Sequence, residues 1–171
     1  MNKLWENIFK FRQKETDEID NILIQIPIFQ DLNNRELRTI KRILHQREYK
    51  KNEVIFNQGD VGLGMYIIVK GTVGIVRGTA KHMLAELNDG DFFGELALLD
   101  DSPRSATSVS KTPCKMLCFF KPELLDLINR DPGLGSKILF KLAWTIGERL
   151  KSTNEQVSEL SHLSHRTQLD S

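Results

Sequence analysis

Residues Gly90–Thr107 read GDFFGELALLDDSPRSAT, and three means of holding an anion fall within this one stretch. Phe92 and Phe93 are apolar anchors. Gly94 lets the backbone turn sharply or come close to a ligand. Glu95 to Leu99 is long enough for one or two helical turns, whose first N–H groups have no internal partner and favour an anion. Asp100 to Pro103 reads as a turn. Arg104 carries the planar fork that grips a phosphate with two parallel hydrogen bonds, and Ser105 adds a hydroxyl donor. A buried Glu95 beside such a site suits a sugar hydroxyl, because a carboxylate accepts hydrogen bonds and repels phosphate. The competing reading is a surface loop in which Arg104 pairs with Asp100 or Asp101.

The stretch resembles the phosphate-binding cassette of cyclic-nucleotide-binding domains, the family of bacterial catabolite activator proteins and of the regulatory subunits of cyclic-AMP-dependent protein kinases. The family pattern runs F-G-E-L-A-L, a short loop, then R-(S/A/T)-A-(T/S), and each position is matched. The resemblance implies roles for Gly94, Glu95, Leu96, Ala97, Arg104, Ser105 and Ala106. Glu95 would accept the ribose 2′-hydroxyl and Arg104 would pair with the cyclic phosphate. Ser105 and the amides of Leu96, Ala97 and Ala106 would complete the cradle. It also implies cyclic AMP as ligand, with cyclic GMP the alternative: in this family Thr after the Arg favours guanine, whereas Ser suits adenine-type binders.

Working outward, the chain of 171 residues carries 24 basic and 23 acidic residues, a formal charge of +1. So balanced a surface offers no electrostatic footprint for nucleic acid. No apolar run approaches the ~18–20 residues of a membrane span, and the N-terminus has no signal-peptide core, which leaves the cytoplasm as the default. Cys114 and Cys118 would lie roughly 13 Å apart along one strand, too far for a disulfide, and read as small buried apolar residues. No metal site is expected.

Around the cassette, short alternating runs separated by Gly and Asp turns occur at near-regular spacing: Asn52 to Phe56, Met65 to Val69, Thr72 to Arg77, His82 to Leu87, Thr107 to Ser110 and Lys115 to Phe120. Such a pattern means a sandwich or barrel. Gly59, Gly64 and Gly71 read as turn residues with positive φ. With the resemblance, the expected fold is mainly β with flanking helices: a β-roll, or double-stranded jelly-roll barrel, with N-terminal helices and a long C-terminal helix. That fold class also holds metal enzymes of the cupin type, but His45, His82, His162 and His165 do not have their spacing, and no activated nucleophile or carboxylate pair is visible. A non-enzyme is expected.

Before the roll, Leu4, Trp5, Ile8 and Phe9 are spaced as an amphipathic helix over Met1 to Lys14, either a docking helix for a partner or membrane surface or a helix packed on its own domain or a second subunit. Thr16 to Gln25 is a second helical stretch, stopped by Pro27. Asn33 with Glu36 forms a capping box for a helix ending near His45. After the roll, Lys121 to Asn129 is a short helix. Asp131-Pro132 then starts a long one, in which Leu139, Leu142, Ile146, Leu150, Thr153, Val157, Leu160 and Ser164 recur at spacings of three and four.

These boundaries divide the chain into an extension (1–25), a cyclic-nucleotide-binding roll (26–130) and a C-terminal helix with a short tail (131–171). In the catabolite-activator branch the equivalent helix forms the subunit interface and closes over the base. Alignment on Arg149-Leu150 places Thr153 and Asn154 where that branch has base-contacting residues; the alternative is a tolerated polar position in the seam. No room is visible for a helix-turn-helix domain, so DNA is not an expected partner. The expected activity is a sensor that signals through the C-terminal helix to an effector protein, with a homodimer through that helix. The rivals are a scaffold module of the same fold that binds no nucleotide and a truncated transcription factor.

Overall fold

The computed structural model describes residues 18–80 and 82–169, with side chains described to residue 159. The expected helix over Met1 to Lys14 and the first two residues of the expected Thr16 to Gln25 helix lie outside the described residues. Residues 18–23 are helical (α1), and Pro27–Phe29 form a 3-10 turn with Pro at its start. Helix α2 spans Asn34–Ile43. Eight strands follow: β1 His45–Tyr49, β2 Val54–Phe56, β3 Gly64–Lys70, β4 Val73–Arg77, β5 His82–Leu87, β6 Phe92–Phe93, β7 Thr107–Ser110 and β8 Cys114–Phe120, with a second 3-10 turn at Glu95–Leu98. Helices α3 (Lys121–Arg130) and α4 (Pro132–Leu169) complete the order. No helix among the described residues is long and apolar enough to cross a membrane.

The strands form two four-stranded antiparallel sheets, in the orders β1-β8-β3-β6 and β2-β7-β4-β5. The first sheet is covered on both faces, and its sequence reflects that. On one face Tyr66, Ile68, Phe93, Met116 and Cys118 meet Val73, Ile75 and Leu87 of the second sheet. On the other, Met65, Ile67, Leu117 and Phe119 pack with Leu23, Phe29, Ile40, Leu124, Ile138 and Leu142 of the helical layer. This is why β3 reads as an unbroken apolar run, since a strand covered on both sides has no polar face. Cys114 and Cys118 are free and buried.

The helix ends follow from local chemistry. Asn33 Oδ1 accepts from the Arg35 and Glu36 amides at 2.9 and 3.0 Å, and Glu36 Oε2 accepts from the Asn33 amide at 2.8 Å. The expected capping box therefore forms. Asp131 Oδ1 caps α4 through the Leu134 amide at 3.0 Å.

Two strands depart from the expectation. β1 was not among the expected strands, but its five residues pair in register with β8, from His45 opposite Cys118 to Tyr49 opposite Cys114. β6, expected as a pair of anchors, pairs Phe92 and Phe93 with Ile67 and Tyr66 of β3. Gly64 is also corrected. Gly59 and Gly71 have positive φ, at 88° and 113°, but Gly64 does not. A Cβ on Gly64 would lie 2.2 Å from the Phe119 carbonyl oxygen, so glycine is required there by the close approach of β3 and β8.

Candidate functional site

The cassette closes one pole of the roll. Gly94 has φ +75° and caps the 3-10 turn, a backbone conformation that L side chains adopt at a cost. The turn faces a cleft of about 660 Å³, within the usual range for small-molecule sites. Gly94, Glu95, Leu96, Ala97, Arg104, Ser105 and Ala106 all line it, together with Arg149 of α4. Thr153 and Asn154 do not, and both side chains are exposed.

Arg104 is a buried cation. It is 8% exposed, donating from Nη1 to the Gly94 carbonyl at 3.0 Å and from Nη2 to the Gly64 carbonyl at 2.7 Å. Its Nε is buried without a hydrogen-bond partner. Desolvation pulls its pKa below the ordinary value, opposed by Tyr66, Glu95 and Asp60; an arginine so lowered still stays charged near neutrality. The surface-loop reading is corrected by this geometry. Asp101 pairs with Lys121 at 2.8 Å, and Asp100 accepts from the Ser102 amide at 3.4 Å, so neither acid is the partner of Arg104. Among the described residues both of its backbone hydrogen bonds go to neutral carbonyls and no carboxylate pairs with it directly, so it still has an anion to gain.

Glu95 is also 8% exposed. Its Oε1 accepts from Arg149 Nη1 at 2.7 Å. Arg149 donates from Nη2 to the Phe92 carbonyl at 3.0 Å and lies over the Phe92 ring, 4.2 Å from its centroid. One side chain of α4 thus touches both the start of the cassette and its carboxylate. Sequence reasoning used Arg149 only as an alignment anchor and missed this role; its place four residues before Thr153 was the signal available.

The amides differ from the expectation in one respect. The Ala97 N–H donates to the Gly94 carbonyl at 3.3 Å, a long bond within the 3-10 turn, while the Leu96 and Ala106 amides have no protein partner among the described residues. Thr153 Oγ1 donates to the Arg149 carbonyl at 2.8 Å, so its hydroxyl is satisfied within α4. A cleft of about 590 Å³ at the opposite pole is lined by residues that include Lys50, Lys70 and Lys115, none of them fully buried, and it has no charge comparable to Arg104. Among the described residues no group of three or more His, Cys, Asp or Glu is placed to hold a metal ion.

Residues 46–131 match the family model described as the cyclic nucleotide-binding domain. The chain is 32% identical over 138 residues to the cyclic AMP receptor protein of Thermus thermophilus, covering 79% of this chain and 62% of that one. It is 29% identical over 136 residues to the cAMP-dependent protein kinase regulatory subunit of Schizosaccharomyces pombe, covering 75% and 32%. The chain therefore spans less than two thirds of the length of these relatives. Among solved structures, the Thermus thermophilus catabolite activator protein superposes with a TM-score of 0.70 at 31% identity, over 79% of this chain and 63% of that one. A cyclic nucleotide-binding domain from Methylobacillus flagellatus has the same fold, with a TM-score of 0.74 at 24% identity over 84% and 83%.

Proposed function

The chain belongs to the cyclic nucleotide-binding domain family, and we propose that it is a sensor, without catalytic activity, that binds cyclic AMP in the cleft between cassette and α4. The observation that carries this reading is the buried Arg104, whose Nε has no partner, beside an equally buried Glu95. A phosphodiester supplies the acceptor that Arg104 lacks. Ser105 and the amides of Leu96 and Ala106 add donors, and Ala97 joins them if the long bond to Gly94 opens. The ribose supplies a hydroxyl donor to Glu95. Cyclic AMP is preferred to cyclic GMP because Ser rather than Thr follows Arg104, and two relatives carry cyclic AMP in their names.

Arg149 supports a route for the signal. Ligand arriving at Glu95 meets the guanidinium that ties α4 to the cassette, so binding and the position of α4 are coupled. A ligand moves such an equilibrium only by its preference for one state. When α4 shifts, Thr153 and Asn154 reach the base, from the same chain or from a second copy paired through α4, and the moved surface changes its affinity for an effector protein. Residues 26–130 form the binding unit in this reading, with 1–25 an extension and 131–171 the lid and seam.

Calorimetric titration with cyclic AMP and, separately, cyclic GMP, beside Arg104→Ala, tests it. Losing the charge-assisted contact costs about 1.5–3 kcal/mol, tens to over a hundredfold in affinity. Micromolar or tighter binding of cyclic AMP, lost in the variant, is expected. Absence of heat with either nucleotide, from folded and nucleotide-free protein, returns the chain to a scaffold of the same fold.

A further inference from the structure

Arg104 sits among aromatic rings supplied by three strands. Its Cζ lies 4.1 Å from the Phe56 ring centroid and 5.8 Å from that of Tyr66. Phe56 in turn packs at 5.7 Å from Tyr66 and 5.9 Å from Phe93, and the Tyr66 and Phe93 rings stack at 5.3 Å with 13° between planes. Phe56 is on β2 of one sheet, whereas Tyr66 and Phe93 are on β3 and β6 of the other. A guanidinium over a ring face within about 6 Å is attracted to it, more strongly when water is excluded.

The hydrogen bonds alone do not fix this guanidinium. Bonds from Nη1 to Gly94 and from Nη2 to Gly64 pin the line between the two nitrogens. The plane can still rotate about that line, and such a rotation swings Nε, a buried donor without a partner. Contact with a ring face removes that freedom, because the plane must then stay against the ring. Phe56 is the nearer of the two rings, at 4.1 Å against 5.8 Å; it packs against the core cluster and its exposed part lines the cleft beside Arg104.

We propose that Phe56 is a positioning residue for the phosphate contact: by stacking on Arg104 it fixes the guanidinium plane, and with it the direction of Nε–H, before ligand arrives. This rests on the reading of the cleft as a cyclic nucleotide site. A donor already aimed costs less ordering when it binds, so Phe56, which also lines the cleft, sets affinity for the phosphodiester through Arg104.

The test uses the full chain with Phe56→Leu, the longer and more adaptable Phe56→Met as a second variant should the first fail to fold, and Phe56→Tyr, which keeps the ring. Cyclic AMP affinity is expected to fall about three- to tenfold in the Leu and Met variants and to be retained in the Tyr variant. On an Arg104→Lys background the same substitutions should cost nothing further. The Arg104 Nε–Hε resonance, identified by its loss in Arg104→Lys, should move when the ring is removed and stay in Phe56→Tyr, which a packing role would not require. Folded Phe56→Leu or Phe56→Met protein with unchanged affinity, an unmoved resonance, or costs that add to Arg104→Lys overturns the proposal. Wild-type protein that binds no cyclic AMP overturns the cleft reading and this role with it, and the resonance then still reports whether the stack exists.

Discussion

Arg149 Nη1 lies 2.7 Å from Glu95 Oε1, so the long terminal helix is tied to the carboxylate of the cassette. The arginine side chain is 44% exposed and the glutamate 11%, so solvent screens the pair and it contributes about 1 kcal/mol or less. Removing it with Arg149→Ala should leave the roll intact and loosen α4. Backbone amides around 145–155 are expected to exchange up to about fivefold faster, while those of β3 and β8 are unchanged. Equal exchange in α4 of wild type and variant would show that the pair does not hold the helix.

Gly94 and Gly90 separate backbone strain from site geometry. Both have positive φ, +75° and +85°, but a Cβ on Gly94 would lie 2.6 Å from Arg104 Nη1, whereas one on Gly90 meets nothing within 4 Å. Either residue replaced by Ala should lose about 1–2 kcal/mol of stability for the left-handed backbone. Only Gly94→Ala displaces Arg104, and its cyclic AMP affinity should drop at least about tenfold. Denaturant midpoints and calorimetry on the two variants check this; equal loss of affinity in both sinks the steric argument.

What could be read in the sequence follows the burial of each element. β3 and β8 are apolar runs because both faces of their sheet are covered, and the cassette was legible because an unbroken run of its residues matches the family's pattern. β1, HQREY, is mostly exposed and carries no apolar rhythm; only pairing with β8 makes it a strand. β6 has two residues, too short for any period. The Arg149–Glu95 contact joins residues 54 positions apart, and nothing local to either marks the other. Thr153 was placed at the ligand by alignment with the catabolite-activator branch, with a tolerated polar seam position the alternative; its hydroxyl is satisfied by the Arg149 carbonyl one turn back, a local bond that competes with any outside partner.

The capping box makes stability depend on acid. Glu36 is held below its ordinary carboxylate pKa, first by Lys137 and then by the Asn33 amide. As pH falls, the unfolded chain therefore takes up this proton before the folded one does. The contribution is complete above the ordinary value of 4.5 and is lost as pH drops through the lower folded value. Wild type should lose more stability than Glu36→Gln on acidification below about pH 4.5, and Asn33→Ala should cost about 1 kcal/mol at neutral pH. Parallel acid limbs in urea melts of wild type and Glu36→Gln would remove Glu36 from the account.

The apolar stripe of α4 changes its surroundings at Gly147. Before it, Leu142 is fully buried, and Leu139 and Ile146 pack against the helical core. After it, Leu150 is 59% exposed, although the spacing of three and four continues. A helix of 38 residues is about 57 Å long, more than one small roll can cover, so its second half has no use for an apolar stripe unless another surface meets it. A second copy related by a two-fold axis presents the same stripe in return. Sedimentation is then expected to give a dimer at micromolar concentration. Leu150→Lys, at a position too exposed to cost the fold much, should shift that dimer toward monomer and weaken any cooperativity in cyclic AMP binding. A wild-type chain that sediments as a monomer, with Leu150→Lys indistinguishable from it, would leave α4 to act as a lid within one chain, and Thr153 would then be the residue to test against the base.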